Sequence, residues 1–225
     1  MKLALVPSRR HLLVALVWIV PLVLAGSLGS RLGERRLDLS SSIGAFTYDD
    51  RDVGGRSSIA ILSRDHGHAF ALLLGAGFSY PYAAYAIRTS GGDVLSSIDA
   101  TEFDSIVVQA RCRHQRTLRI QAQTVVPGFT DSTRPMTLVP FEVALPLEAN
   151  WSRQSAPMGS FSIPTWWPAL VGAKPGPRPR AFERLNRLDI QNSPDLAIGV
   201  PDTVEIREIA LVGRSKAPLA VALFC

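Results

Sequence analysis

The sequence predicts an all-β sandwich, on three observations. Ile106, Val108, Ala110 and Cys112 alternate with Val107, Gln109, Arg111 and Arg113, and Leu118, Ile120 and Ala122 alternate with Arg119, Gln121 and Gln123. A period of two puts alternate side chains on opposite faces of a strand, so each run has one apolar and one polar face. Roughly seven to nine short apolar runs, separated by Gly and Pro turns, fill most of the chain. Helical periodicity is scarce beyond the N-terminus. Short strands with frequent turns and few helices bury their inner faces by stacking two sheets.

Taken in order, the chain opens with Lys2, Arg9 and Arg10, which supply three of the five net positive charges. His11 to Leu28 follows as an almost uninterrupted apolar run. A charged segment before such a run is an export signal, and its length reaches the lower limit for a membrane-spanning helix. Residues 1–29 therefore read as a signal peptide or a membrane anchor. Ala25 and Ser27 suit cleavage, whereas Trp18 and the length suit retention. The expected location is extracytoplasmic: anchored in an inner membrane with the domain in the periplasm, or secreted if the signal is cleaved. The rest of the chain is close to neutral, which excludes the dense basic footprint of a nucleic-acid binder.

Residues 30–47 read as a polar linker and 48–213 as the folded domain. Gly54-Gly55 marks a turn, Ser57 to Leu62 a strand, Asp65 to His68 a solvated turn, and Ala69 to Leu74 a strand. Phe78, Tyr80, Tyr82 and Tyr85 give the next run aromatic strand propensity. The two alternating runs between Phe103 and Thr124 are joined by His114, Gln115 and Arg116, and read as an antiparallel hairpin. Val125 to Pro135 reads as a loop. Met136 to Leu147 is a strand whose prolines suit a sheet edge.

Beyond Asn150 regularity fades, with one short strand at Phe161 to Ile163. Lys174 to Arg180 is too rich in Pro and Gly for regular structure. Phe182, Leu185 and Leu188 recur at three-residue spacing and predict a short helix over 181–188. Thr203 to Val212 is the last strand, and its inward period slips between Ile206 and Ile209, which predicts a bulge. Residues 214–225 form an apolar tail, readable as a terminal strand or as the start of a second membrane helix. Cys112 reads as a buried free thiol, and two cysteines make neither a disulfide framework nor a metal site.

The succession GGRSSIAI, GAGFSYPYAAYAIRT, LSSIDATEFDSIVVQAR with RTLRIQAQT, FSIPTWW and VEIREIALVG resembles the complex I intermediate-associated protein family. The resemblance spans about Tyr48 to Gly213. It implies a galactose-binding-like jelly-roll β-sandwich, similar to several carbohydrate-binding modules. Exported relatives of this architecture look like ectodomains of bacterial membrane proteins. Gly75 to Tyr80 departs from the Gly-Gly-Phe-Ala-Ser-like element of the family.

A sugar site needs flat rings for the apolar side of a pyranose and planar polar groups for its hydroxyls. Trp151, Trp166 and Trp167 supply rings, while Gln109, Arg111, Arg119 and Gln121 supply donors and acceptors. These seven are the candidate ligand-binding residues. The plainer alternatives are that the polar faces are only solvated and that Trp166 and Trp167 close an edge or lie against a membrane surface.

Asp49, Asp50 and Asp52 resemble a calcium corner, and Asp65 to His68 a metal ligand pair. Both sets fall short of the donor count and read better as solvated turns, so no metal and no cofactor is expected. Glu205 and Glu208 read as outer-face charges. No nucleophile elbow, catalytic carboxylate pair or phosphate-binding glycine loop frames the remaining Ser, His and Asp residues, so an enzyme is not expected. The sequence thus predicts a non-catalytic binding or sensing domain for a glycan or another polar small ligand. The alternative is an envelope protein–protein scaffold, docking a partner or a second copy.

Overall fold

The computed structural model describes residues 34–40, 44–63, 67–91, 93–172 and 182–214. The expected N-terminal helix at 1–29, Asp65 and His66, the KPGPRPR loop and residues 215–225 of the tail lie outside the described residues. Among the described residues, no helix is long and apolar enough to cross a membrane.

Eleven strands are described. They are β1 (Glu34–Asp38), β2 (Ala45–Asp49), β3 (Ser58–Ser63), β4 (His68–Leu73), β5 (Ala83–Arg88) and β6 (Ser105–Cys112), then β7 (Thr117–Thr124), β8 (Val139–Pro146), β9 (Ser152–Pro157), β10 (Leu185–Gln191) and β11 (Pro201–Arg214). One short α-helix, α1 (Trp166–Val171), follows β9. The strands make two sheets, one ordered β3-β4-β11-β6-β9 with β1 added on β11, the other β2-β5-β10-β7-β8. Every pairing among β2 to β11 is antiparallel. This is the predicted jelly-roll sandwich.

The inner faces carry what the alternation predicted. Ile106, Val108, Ala110 and Cys112 from β6 meet Leu118, Ile120 and Ala122 from β7, all buried in one core. Burying a side chain of this size contributes about 1.5–3 kcal/mol. Tyr85 and Phe70 stack with ring centroids 4.9 Å apart across the same core. Their polar neighbours are satisfied. The Tyr85 hydroxyl and His68 Nδ1 are 2.7 Å apart, and His68 Nε2 lies 3.2 Å from the Leu39 carbonyl. His68 is therefore a buried member of the core rather than part of a solvated turn.

The hairpin expected between Phe103 and Thr124 is not formed. Its two strands exist, but β6 lies between β11 and β9 while β7 lies between β10 and β8 in the opposite sheet. The connection is an arch across the core, held by the buried carboxylate of Asp202 and the exposed one of Asp195. Asp202 accepts from the backbone N–H groups of Arg113, His114 and Gln115, each at 3.0 Å, and Asp195 accepts from that of Arg116 at 2.7 Å. An arch leaves backbone donors that a two-residue hairpin turn would satisfy by itself, so side chains must supply the acceptors.

Three further expectations change. The helix predicted over 181–188 is a turn followed by β10, the central strand of its sheet, where pairing with both neighbours overrides the three-residue apolar spacing. The segment read as a linker contributes β1 and β2, so the sandwich begins before Tyr48. Strand β9, opposite β6, lies where regularity faded. The bulge in β11 falls between Ile206 and Glu208, as the slipped period predicted, and β8 with Pro140 and Pro146 is an edge strand.

Candidate functional site

Because β6 and β7 face each other across the core, their polar faces point to opposite sides of the sandwich. Gln109 and Arg111 lie on the outer face of the six-stranded sheet, and Arg119 and Gln121 on that of the five-stranded sheet. The single Arg/Gln groove floor expected from sequence is divided. Alternation assigns a face to each residue but does not say which sheet a strand joins.

On the six-stranded side the polar groups bind one another. Arg111 donates to both carboxylate oxygens of Glu205 at 2.9 Å, and Arg36 and Arg153 converge on Glu208. The hydrogen bond from Arg153 and the second arginine hold the Glu208 carboxyl below its usual range against its partial burial. Trp151 is on this side, its ring covered by the guanidinium of Arg207 at 3.9 Å and that of Arg111 at 4.9 Å. Both glutamates are outer-face charges, as predicted. A cavity of about 190 Å³ beside them is lined by His68, Trp151, Glu205 and Arg207.

The five-stranded side is built differently. One cross-strand row runs Phe46, Ala86, Asp189, Gln121, Glu142, and the next runs Tyr48, Ala84, Gln191, Arg119, Ala144. The small alanines at β5 leave room in which long side chains from both flanks meet. Tyr48 donates to Asp189 at 2.8 Å, and Arg187 donates to the same carboxylate at 2.9 Å. Burial, and then the negative charge of Asp189, push the Tyr48 hydroxyl well above its ordinary pKa. Gln191 donates to the Tyr48 oxygen and to Gln121 Oε1, which also accepts from Gln123. Gln121 Nε2 in turn donates to Glu142 at 3.1 Å.

Gln121 is only 1% exposed, and its amide is consumed in this network. Its part is to hold Glu142 in place rather than to meet a ligand. Glu142, Arg119, Ser160, Ser162 and Thr117 line a cavity of about 340 Å³ near the start of β7. Arg119 donates to the Asn192 carbonyl at 3.1 Å. A guanidinium carries five N–H groups, so donors remain for a ligand.

At the other flank, aromatic rings follow one another outward from β2. Phe46, Tyr48, Tyr82, Phe78 and Tyr80 are linked by centroid separations of 6.3, 6.1, 6.3 and 6.5 Å. Tyr80 ends the series with 78% of its surface exposed. Asp50, buried beneath this corner, accepts from the Ser57 N–H, the Ser57 hydroxyl and the Tyr82 N–H. Gly54 takes φ +88°, and a Cβ at Gly55 would come within 2.1 Å of the Asp50 carboxyl. The turn expected around Asp49, Asp50 and Asp52 is present: Arg51 to Gly54 are exposed as expected, while Asp49 and Asp50 are buried and Asp50 braces the turn from within.

Trp166 and Trp167 belong to neither outer face's network. They begin α1, where Trp167 is buried and donates to the Met136 carbonyl at 3.0 Å, while Trp166 stays 45% exposed. Of the seven sequence candidates, only Arg119 and Gln121 share a face with the larger cavity. Glu142, Ser160, Ser162 and the ring series were not singled out from sequence. The dense FSYPY segment was the available signal, but it reads equally well as strand propensity.

No family model matches the chain, and no curated protein matches it. Solved structures share its fold. A family 30 carbohydrate-binding module aligns with a TM-score of 0.51 at 9% identity, over 80% of this chain and 99% of that one. A second family 30 structure aligns at 0.50 and 9% identity, over 82% and 90%. A family 11 carbohydrate-binding module of a cellulosomal cellulase of Clostridium thermocellum aligns at 0.49 and 14% identity, over 80% and 95%. At these identities the likeness is one of fold.

Proposed function

We propose that the chain is a non-catalytic, extracytoplasmic binding module whose ligand is a glycan lying along the outer face of the five-stranded sheet. The observation that carries this reading is the pairing, on one face, of an aromatic series that ends in the exposed ring of Tyr80 at one flank with a polar cavity at the other. Rings such as Tyr80 and Tyr82 offer flat apolar surface to the C–H side of a pyranose. Arg119 supplies fixed donors, Glu142 a fixed acceptor, and Ser160 and Ser162 both, which together suit the hydroxyls of a sugar. The network through Gln121, Gln191 and Asp189 holds these groups in position before a ligand arrives, which lowers the ordering cost of binding. The fold-level likeness to family 30 carbohydrate-binding modules supports the same reading. The extracytoplasmic placement rests on the apolar run from His11 to Leu28 behind its basic residues.

Affinity electrophoresis through a panel of soluble polysaccharides, followed by calorimetry on any that retard the protein, tests the proposal. Arg119→Ala and Tyr82→Ala are each expected to weaken binding about tenfold or more, the loss of one well-placed contact. Absence of retardation by every polysaccharide refutes glycan binding. Retardation abolished by Trp151→Ala but untouched by Arg119→Ala would move the site to the opposite face.

A further inference from the structure

The hydrogen-bond chain across the five-stranded sheet has a direction, and its two ends set it. Both ends are carboxylates, Asp189 and Glu142, which when ionised can only accept. Asp189 is fully buried and takes Arg187 Nε at 2.9 Å and the Tyr48 hydroxyl at 2.8 Å. Tyr48 has thereby used its only proton, so its oxygen must accept from its next neighbour. That neighbour is the Gln191 amide nitrogen, at 3.3 Å. From the other end, Glu142 Oε2 takes Gln121 Nε2 at 3.1 Å, which leaves Gln121 Oε1 to accept from Gln191 and Gln123. By shape alone an amide fits either way round, so the carboxylates decide the orientation.

That orientation fixes what remains for a ligand. Gln191 Nε2 has two hydrogens, and both are used, at Tyr48 and at Gln121. Gln191 Oε1 has no donor among the described residues and is not sealed from solvent. Glu142 Oε1 likewise has no protein donor among the described residues, in a side chain that lines the larger cavity. The row Tyr48, Ala84, Gln191, Arg119 runs from the aromatic flank to that cavity, so a ligand spanning both crosses Gln191. Arg119 is the register partner of Gln191 and stands diagonal to Glu142. A carboxylate or sulfate brought to Arg119 would therefore face two acceptors with no proton to share, whereas a hydroxyl can donate to either.

We infer that the middle of this face selects its ligand by hydrogen-bond donors. The inference rests on the glycan reading and narrows it to glycans whose hydroxyls are free, and which carry no acidic group, where they cross Gln191. Gln191 is the specificity-determining residue. Tyr48 is a positioning residue, because its hydroxyl is what turns the Gln191 nitrogen inward and leaves the oxygen to the ligand.

The test is affinity electrophoresis of the full chain through hydroxyethyl and carboxymethyl ethers of cellulose, starch and dextran. The two ethers have similar bulk, but one ends in a hydroxyl and the other in a carboxylate. Salt at about 0.15 M screens long-range repulsion. For a polymer that retards the protein, the hydroxyethyl ether should bind about tenfold or more tightly than the carboxymethyl ether. Tyr48→Phe frees the Gln191 amide to turn and should narrow that ratio to about threefold or less. Gln191→Leu removes the acceptor, and should narrow the ratio while weakening the hydroxyethyl ether. A purely structural role for Tyr48 would lower both affinities together and leave the ratio unchanged. Equal retardation of the wild-type chain by both ethers overturns the inference without any variant and leaves glycan binding standing. A ratio unmoved in Tyr48→Phe and Gln191→Leu also overturns it. So does retardation by none of the six polymers, while the glycan reading itself stands or falls on its wider panel.

Discussion

Asp202→Ala is the substitution that most directly probes the arch joining β6 to β7. The carboxylate is 2% exposed and accepts four backbone N–H bonds, from Arg113, His114, Gln115 and its neighbour Thr203. Hydrogen bonds to a charged group are each worth about 1.5–3 kcal/mol, but bonds sharing one acceptor do not add fully. Alanine also strands the Gln115 N–H, a buried donor, at a cost of about 1–3 kcal/mol. Together these give a loss of about 3–5 kcal/mol, or about 10 °C in melting temperature for a domain of this size. Asp202→Asn should fall between, because its Oδ1 still serves Arg113 and His114 while its amide meets the Gln115 N–H donor to donor. Urea denaturation followed by tryptophan fluorescence reads the loss as a lowered midpoint at unchanged slope. A loss under about 1 kcal/mol for alanine would show that the arch stands without its carboxylate, and the account of why no hairpin forms would fail.

Other perturbations test other parts of the structure. Gly55→Ala should lower the melting temperature by several degrees, because its Cβ would meet a carboxyl already fixed by three donors, and a melt within about 1 °C of wild type would contradict that packing. Glu208 has a depressed folded pKa, so its contribution is fully present above its unfolded value of 4.5 and is lost as pH falls through the folded value. Glu208→Gln should accordingly flatten stability against pH below about 4.5, measured by urea midpoints across that range. Burial, and then the charge of Asp202, push the Cys112 thiol up to about 11, so iodoacetamide at about pH 8 should label it only in denaturant. Peptide mass spectrometry showing native labelling at Cys112 would refute its burial. Tyr48→Phe removes one of two donors to buried Asp189 and should cost about 1.5–3 kcal/mol, read from the same urea midpoints.

The candidate site shows where reading residues locally succeeds and where it stops. Arg119 and Gln121 lie on a strand face that alternation assigned correctly, and Glu205 and Glu208 are outer charges as read. Gln109 and Arg111 have an equally clear alternating pattern, yet they sit on the far side of the core from Arg119. Trp166 and Trp167 are adjacent in sequence, but Trp167 is buried against Phe129 while Trp166 is open to solvent. Glu142 carries no signal of its own in TLVPFEVALPL, since its importance comes from Gln121 on the neighbouring strand and from the cavity wall it forms.

Local covalent and steric rules act over a few residues, so the sequence alone determined the sandwich class, the inward faces of β6 and β7, the bulge in β11, the edge position of β8 and the burial of Cys112. Each follows from the two-residue period, a slip in it, a proline without an N–H, or the apolar company of a thiol. Partner choice between strands is a long-range matter. Whether β6 turned back on β7 or crossed the core was settled by Asp195 and Asp202, which lie about eighty residues further on in sequence. The same is true of β10, whose helix-like spacing yields to hydrogen bonding with β5 and β7 on either side. Only the tertiary structure decided which polar face holds the cavity, because a face becomes a site through the strands that assemble beside it.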